Sequence, residues 1–275
     1  MYEIIKNANR KILDSFSLFV GTGKCNANCE HCAGMPLRKY APAKDGIIDR
    51  DLFYETIKNC YYNGARYLSL SSSGEPTLSP LAVTKTFELI NECEKEGIKF
   101  SPINLYSNGI RIGEDEEFCK QYLPLWKRHG LTSFYITVHN INEKKNAEIY
   151  KVNNYPSLEI ILSRIHDSNL LVRGNLVLSK KTVHNSEDFI STVKQMKKIG
   201  FDSISAWSVR GMDDKIDYAQ SPSEEELDKM EDWINKNKDF KIKIRLLREK
   251  DRARYEKKEK LTLFPNGILS NSWCN

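Results

Sequence analysis

The sequence predicts an α/β fold: an open, partial (βα)6 barrel followed by a small α+β extension. Three observations carry that reading. Short β-rich runs alternate with longer helical runs, which implies parallel strands covered by helices. The alternation repeats six times, and right-handed crossovers curl six such units into an incomplete barrel where eight would close one. After Gly211 the alternation stops and another pattern begins. The expected division is residues 1–211 for the barrel and 212–275 for an extension that covers it.

The first strand is the apolar run Phe16–Val20, followed by Gly21-Thr22-Gly23 and a long loop to about Ile48. Asp49 or Asp51 caps a helix in which Leu52, Phe53, Ile57, Cys60 and Tyr61 share one face, which makes Cys60 a core residue. Tyr67–Ser71 is the second strand. Leu81–Glu96 is helical, with Phe87, Ile90 and Cys93 inward, and Gly97 ends it. Ile103–Tyr106 is the third strand. Glu114–His129 opens with acids, which suit a helix N-terminus, and Phe118, Tyr122, Leu125 and Trp126 form its apolar stripe. Phe134–Val138 is the fourth strand, and Leu158, Ile161, Leu162 and Ile165 mark the next helix. Leu170–Val172 and Leu176–Leu178 give the fifth strand. Phe189, Ile190, Val193, Met196 and Ile199 mark a helix stopped by Gly200, and Ile204–Val209 is the sixth strand.

In the extension, Ser221-Pro-Ser-Glu-Glu-Glu opens a capped helix to about Lys238, and Ile242–Leu247 is strand-like. Arg248–Lys260 is a charged helical stretch, read as a solvated face rather than a binding patch. Leu261–Phe264 and Ile268–Ser270 form a hairpin about Pro265-Asn266-Gly267.

Composition narrows the function classes. The apolar share of 40% and charged share of 29% are those of a globular protein. The net charge of +5 assists the approach of an anionic or peptide substrate and does not indicate nucleic-acid binding. No apolar run approaches the roughly 20 residues of a membrane helix. Met1–Val20 is not expected to be a signal peptide, because its apolar part is short and Glu3 and Asp14 interrupt the rest. Seven cysteines are an odd count without the density of a disulfide scaffold, which places the chain in a reducing cytoplasm.

The chemistry centres on Cys25-Asn-Ala-Asn-Cys29-Glu-His-Cys32. A loop with this C-x3-C-x2-C spacing can turn three thiolates toward one point. Three is one short of the four ligands that a closed structural zinc or iron–sulfur site takes. A [4Fe–4S] cluster held by three cysteines keeps one iron open. The competing readings are a small zinc site and buried core thiols.

The motif resembles that of the radical SAM superfamily, C-x3-C-x-Φ-C, with His31 at Φ. The resemblance covers about residues 15–210 and implies a three-quarter barrel with the cluster loop after its first strand. It implies that Cys25, Cys29 and Cys32 hold a [4Fe–4S] cluster whose open iron chelates S-adenosylmethionine. An electron from the cluster then cleaves the sulfonium to give a 5′-deoxyadenosyl radical, which abstracts hydrogen from a substrate.

In such architectures function gathers at the carboxyl ends of the strands. After strand two, Ser73-Gly74-Glu75-Pro76 looks like the family's Gly-Gly-Glu-Pro, whose backbone binds the amino group of S-adenosylmethionine. Ser73 stands where the family has glycine, which leaves the local dihedrals open. After strand three, Ser107-Asn108-Gly109 is similar to Thr-Asn-Gly, with Ser107 or Asn108 directed to the methionyl or ribose groups. After strand four, His139 is a ribose or carboxylate neighbour by family position, or a substrate-facing acid or base. Arg164 resembles an arginine that binds the methionyl carboxylate. Asn175 matches a family asparagine in the fifth strand. Arg173 shares its face at period two, as a substrate or cofactor ligand if that face points inward. Trp207 falls near the adenine, where it stacks or packs.

The segment Phe264–Ser270 resembles the opening of the C-terminal extension of peptide-modifying members, and Cys274 holds the place of a following cysteine. One cysteine does not hold a second cluster, so a reduced extension without auxiliary iron is expected, with Cys274 an inert tail residue or one facing the site. The implied partners are a peptide or protein substrate and a flavodoxin- or ferredoxin-type electron donor. The alternatives are a glycyl-radical-enzyme activase, an enzyme acting on a nucleoside or small molecule, and a non-enzymatic iron–sulfur electron carrier or zinc-stabilised binding protein.

Overall fold

The computed structural model describes residues 13, 15–32, 34–41, 45–211, 215–249 and 260–270. Its strands are β1 (Ser15–Phe19), β2 (Tyr67–Ser71), β3 (Ile103–Ser107), β4 (Ser133–Val138), β5 (Leu171–Leu178), β6 (Ser203–Ser208), β7 (Lys243–Leu247), β8 (Lys260–Leu263) and β9 (Leu269–Ser270). The helices are α1 (Arg50–Tyr62), α2 (Pro80–Lys95), α3 (Ile110–Glu114), α4 (Glu116–Arg128), α5 (Glu143–Tyr150), α6 (Leu158–His166), α7 (Ser186–Ile199) and α8 (Glu224–Lys236).

All nine strands join one sheet in the order β7-β6-β5-β4-β3-β2-β1-β8-β9. Every pair is parallel except the β8–β9 hairpin. Strands β1 to β6 follow one another in chain order, the expected six βα units, and the sheet stays open. The C-terminal part contributes to both edges: β7 pairs with β6, and β8 pairs with β1 at the far side.

The strands have two unlike faces because their side chains alternate. Toward the helices point Phe16, Leu18, Leu68, Leu70, Leu105, Phe134, Ile136, Val172, Leu176 and Ile204, all buried in one apolar core. The opposite, inner face carries Ser17, Ser69, Asn104, Tyr106, Ser133, Tyr135, Arg173, Asn175 and Ser205, aligned by register across β1 to β6. Its polar groups partly pair with each other, as where Ser133 Oγ donates to Asn104 Oδ1 at 2.6 Å.

Three local expectations are corrected. The helix expected over Glu114–His129 is α4, and a short helix that was not expected, α3, precedes it. Asp115 separates the two, since its carboxylate accepts from Phe118 N at 2.9 Å and so caps α4. Helix α5 went unforeseen. It is short, and its buried face, Asn146, Ala147, Ile149 and Tyr150, has a weak apolar stripe. Strand β5 is continuous through Arg173-Gly174-Asn175. Gly174 lies under α7, where a Cβ would stand 2.1 Å from Met196 Cε, and its polar neighbours face inward.

Beyond β6, Ser223 caps α8 by accepting from Glu226 N at 3.3 Å. The buried Arg248 binds that helix, pairing with Glu224, with Asp228 at 2.9 Å and with Glu231 at 3.2 Å. Residues 250–259 of the charged stretch and Cys274 lie outside the described residues. Among the described residues no helix is long and apolar enough to cross a membrane.

Candidate active site at the mouth of the barrel

Because β1 to β4 are parallel, the loops that follow them emerge at one end of the sheet. The loop after β1 carries Cys25, Cys29 and Cys32. It turns at Gly21 and Gly23, whose φ of +87° and +76° favour glycine. The loop after β2 lies against it: Glu75 N donates to Lys24 O at 2.8 Å. Gly74 sits where a Cβ would meet Lys24 O at 2.1 Å and Gly23 O at 2.4 Å, so only glycine lets the two backbones approach this closely. Ser73, buried beside it, keeps a negative φ, so serine in the family's glycine place is unstrained.

Glu75 ties the loops together. Its buried carboxylate accepts from Thr77 N (3.1 Å), Thr77 Oγ1 (2.8 Å), Ser107 Oγ (2.8 Å) and Asn108 N (2.7 Å). Burial pushes its pKa up, and these donors oppose that shift. Asn108 then reaches the cysteine loop, donating from Nδ2 to Asn26 Oδ1 at 2.7 Å and to Cys25 Sγ at 3.8 Å. From the other side, Asn28 N and Glu30 N donate to the Tyr150 and Ile149 carbonyls at the end of α5. The cysteine loop thereby satisfies acceptors that a helix C-terminus leaves open.

The three thiols are free and half-buried. Burial pushes Cys25 up, and a Cys32 charge adds to the rise. Cys29 is pushed up to about 12 by burial and then by the charges of Cys32 and Cys25. Each of these two thiols therefore lies within electrostatic reach of its neighbours, and Arg38 lowers Cys25 in turn. Among the described residues no group of three or more His, Cys, Asp or Glu side chains is drawn together as a metal site. Metal binding by thiolates and the local ordering of their loop are coupled. The donor set itself, three neighbouring thiols on one loop, fits a three-thiolate cluster.

The remaining candidates fall in three groups. His31 and His139 stand near each other, and each has a buried ring nitrogen with no partner, Nε2 and Nδ1 respectively. Burial lowers His31 and brings His139 to about 3, so His139 is neutral near neutral pH, with its ring edge-on to Tyr150 at 4.9 Å. Arg164 is engaged elsewhere: it donates to the Ile112 and Gly113 carbonyls at 2.8 and 2.7 Å, closing the end of α3. Arg173, Asn175 and Trp207 are on the inner face of the sheet rather than on the mouth loops.

Sequence reasoning missed Asn26, Asn146, Tyr150 and Tyr155. Asn146 Oδ1 accepts from His139 N and Asn140 N, fixing the loop after β4. Tyr155 Oη donates to Asn108 O at 2.9 Å, and its ring stacks on Tyr150 at 5.0 Å. Asn26, inside the motif, was the one with a usable signal.

No family model matches the sequence, and no curated protein matches it. Solved structures do. SuiB from Streptococcus suis bound to S-adenosylmethionine superposes with a TM-score of 0.64 at 14% identity, covering 98% of this chain and 61% of its own. SuiB is also known bound to precursor peptide SuiA, with a TM-score of 0.66. AnSMEcpe with bound AdoMet gives a TM-score of 0.60 at 15% identity, over 94% of this chain and 74% of its own. Coproporphyrinogen III oxidase (HemN) from Escherichia coli, a radical SAM enzyme, gives 0.51 at 14% identity, over 87% and 56%. The chain thus spans about three fifths of the length of SuiB. It has the fold of the radical SAM enzymes, with three cysteines at that superfamily's spacing on the loop after its first strand.

Proposed function

We propose that this protein is a radical SAM enzyme that acts on a peptide or protein. The observation that carries the proposal is the placement of the C-x3-C-x2-C loop after β1 of an open parallel barrel, braced by the loops after β2 and β3. When bound at Cys25, Cys29 and Cys32, a [4Fe–4S] cluster supplies the electron that cleaves S-adenosylmethionine to a 5′-deoxyadenosyl radical. The chain's own residues supply the positioning. Glu75 holds the loops after β2 and β3 in fixed relation, and Asn108 carries that constraint to Cys25. The Ser73–Glu75 backbone lies against the cysteine loop, where its carbonyls are acceptors for an ammonium group. His139, buried, neutral and packed on Tyr150, adds no charge at the loop after β4.

The peptide substrate is supported by SuiB, whose structure holds a precursor peptide. The open sheet agrees, since an unclosed barrel leaves a lateral entrance. A flavodoxin- or ferredoxin-type donor in the cytoplasm completes the proposal.

The test is anaerobic reconstitution with iron and sulfide, followed by dithionite and S-adenosylmethionine. Formation of 5′-deoxyadenosine, reduced at least about 100-fold in a Cys25→Ala/Cys29→Ala/Cys32→Ala variant, is expected. Protein that takes up zinc alone and leaves S-adenosylmethionine intact would overturn it.

A further inference from the structure

We propose that the inner face of the sheet holds a carboxylate seat, built on Arg173 and Asn175, that receives an acidic group of the substrate. This rests on the enzymatic reading above and names the chemistry its substrate must present.

The first observation is the state of Arg173. Its guanidinium lies over the Tyr135 ring, 3.3 Å from the centroid. Its Nε donates to Asn175 Oδ1 at 3.0 Å, and Nη2 reaches Tyr106 Oη at 3.5 Å. The Tyr106 ring meets Tyr135 edge-on at 5.1 Å, completing an aromatic wall. An arginine has five N–H donors, so most of this fork remains open. No carboxylate among the described residues pairs with it. Arg111, Arg164 and Arg248, by contrast, each have acidic partners.

The second observation is independent. Asn175 is wholly buried, yet its Nδ2 has no hydrogen-bond partner. The amide cannot be turned to cure this, because Arg173 Nε only donates and must face the oxygen. A buried donor without a partner is costly, and one that persists beside an open guanidinium marks a place for an acceptor-rich group.

The third is the field. Among the described residues, no strand contains Asp or Glu. The inner face carries Arg173, and Arg245 of β7 aligns with Ser205 on the same side. A planar fork, an amide donor and strands without Asp or Glu among the described residues suit a carboxylate, which accepts two parallel N–H bonds.

The carboxylate has two sources in a peptide, an acidic side chain or the C-terminus. Ligand-observed NMR on the anaerobically reconstituted protein distinguishes them. One probe pair is N-acetylglutamate N-methylamide against N-acetylglutamine N-methylamide; the other is N-acetylglycine against N-acetylglycinamide. In at least one pair the acid should bind at least about ten-fold tighter, and the pair that discriminates identifies the source. Arg173→Met should abolish the preference, and Arg173→Lys should keep part of it. Asn175→Asp should also abolish it by giving Arg173 an internal carboxylate; near-UV circular dichroism confirms that each variant is folded. Saturating S-adenosylmethionine should leave the preference unchanged. Equal binding within both pairs overturns the proposal, as does a preference that survives Arg173→Met and Asn175→Asp, or competition by S-adenosylmethionine. Wild-type protein that binds no S-adenosylmethionine yet prefers the acid would sink the cofactor reading and leave the seat standing.

Discussion

Glu75 at the mouth and Asn175 on the inner face are both buried polar side chains of one barrel. The Glu75 carboxylate accepts from Thr77, Ser107 and Asn108. Asn175 has one bond, from Arg173, and an amide nitrogen with nothing to meet. Both groups have lost water, and only one has been compensated from within the chain. The difference separates scaffolding from reception. In this pair, the group satisfied by its own chain holds loops in place, and the one left unsatisfied beside an open guanidinium keeps its bond for a ligand.

The contrast can be attacked first where the effect is largest. Glu75→Ala orphans donors on two loops at once and should cost about 4 kcal/mol, given about 1–3 kcal/mol per stranded group with partial relief by entering water. Urea denaturation measures it, and a loss under about 1 kcal/mol would mean that Glu75 is no scaffold. Gly74→Ala comes next. The clash is with the backbone of Gly23 and Lys24, so a cost of about 3 kcal/mol is expected, at the top of the overpacking range. Gly97→Ala is the control: nothing lies within 4 Å, leaving only the strain of φ +84°, about 1 kcal/mol. Equal Tm losses in the two variants would contradict the close approach of the loops.

His139 sharpens the comparison more gently. Its pKa in the folded chain is about 3, below its ordinary 6.5, so the unfolded chain binds the extra proton between those values. Stability from this group is complete above pH 6.5 and is lost as pH falls toward 3. Between pH 7 and pH 5 the wild-type chain should lose about 2 kcal/mol more than His139→Phe. Parallel losses in the two proteins would show that the ring is not held neutral by burial.

Much of this was legible in residues that lie close together in the chain. The spacing of Cys25, Cys29 and Cys32, the turn segments after β2 and β3, and the placing of Arg173 and Asn175 on one face are all local patterns. Arg164 shows the limit. Its guanidinium bonds to carbonyls of α3, a five-residue helix that no sequence pattern marked. The cysteine loop likewise leans on the last carbonyls of α5, whose apolar stripe was too weak to read.

By itself the sequence determined the alternation of strands and helices, the thiol spacing and the two faces of each strand, because these depend on periods of two and 3.6 residues and on short-range sterics. Only the tertiary structure decided that β8 closes against β1, that Gly74 is needed for a backbone contact rather than for its dihedrals, and which buried polar groups find partners. Those outcomes depend on which distant segments meet, and hydrogen-bond satisfaction is settled between segments rather than along the chain.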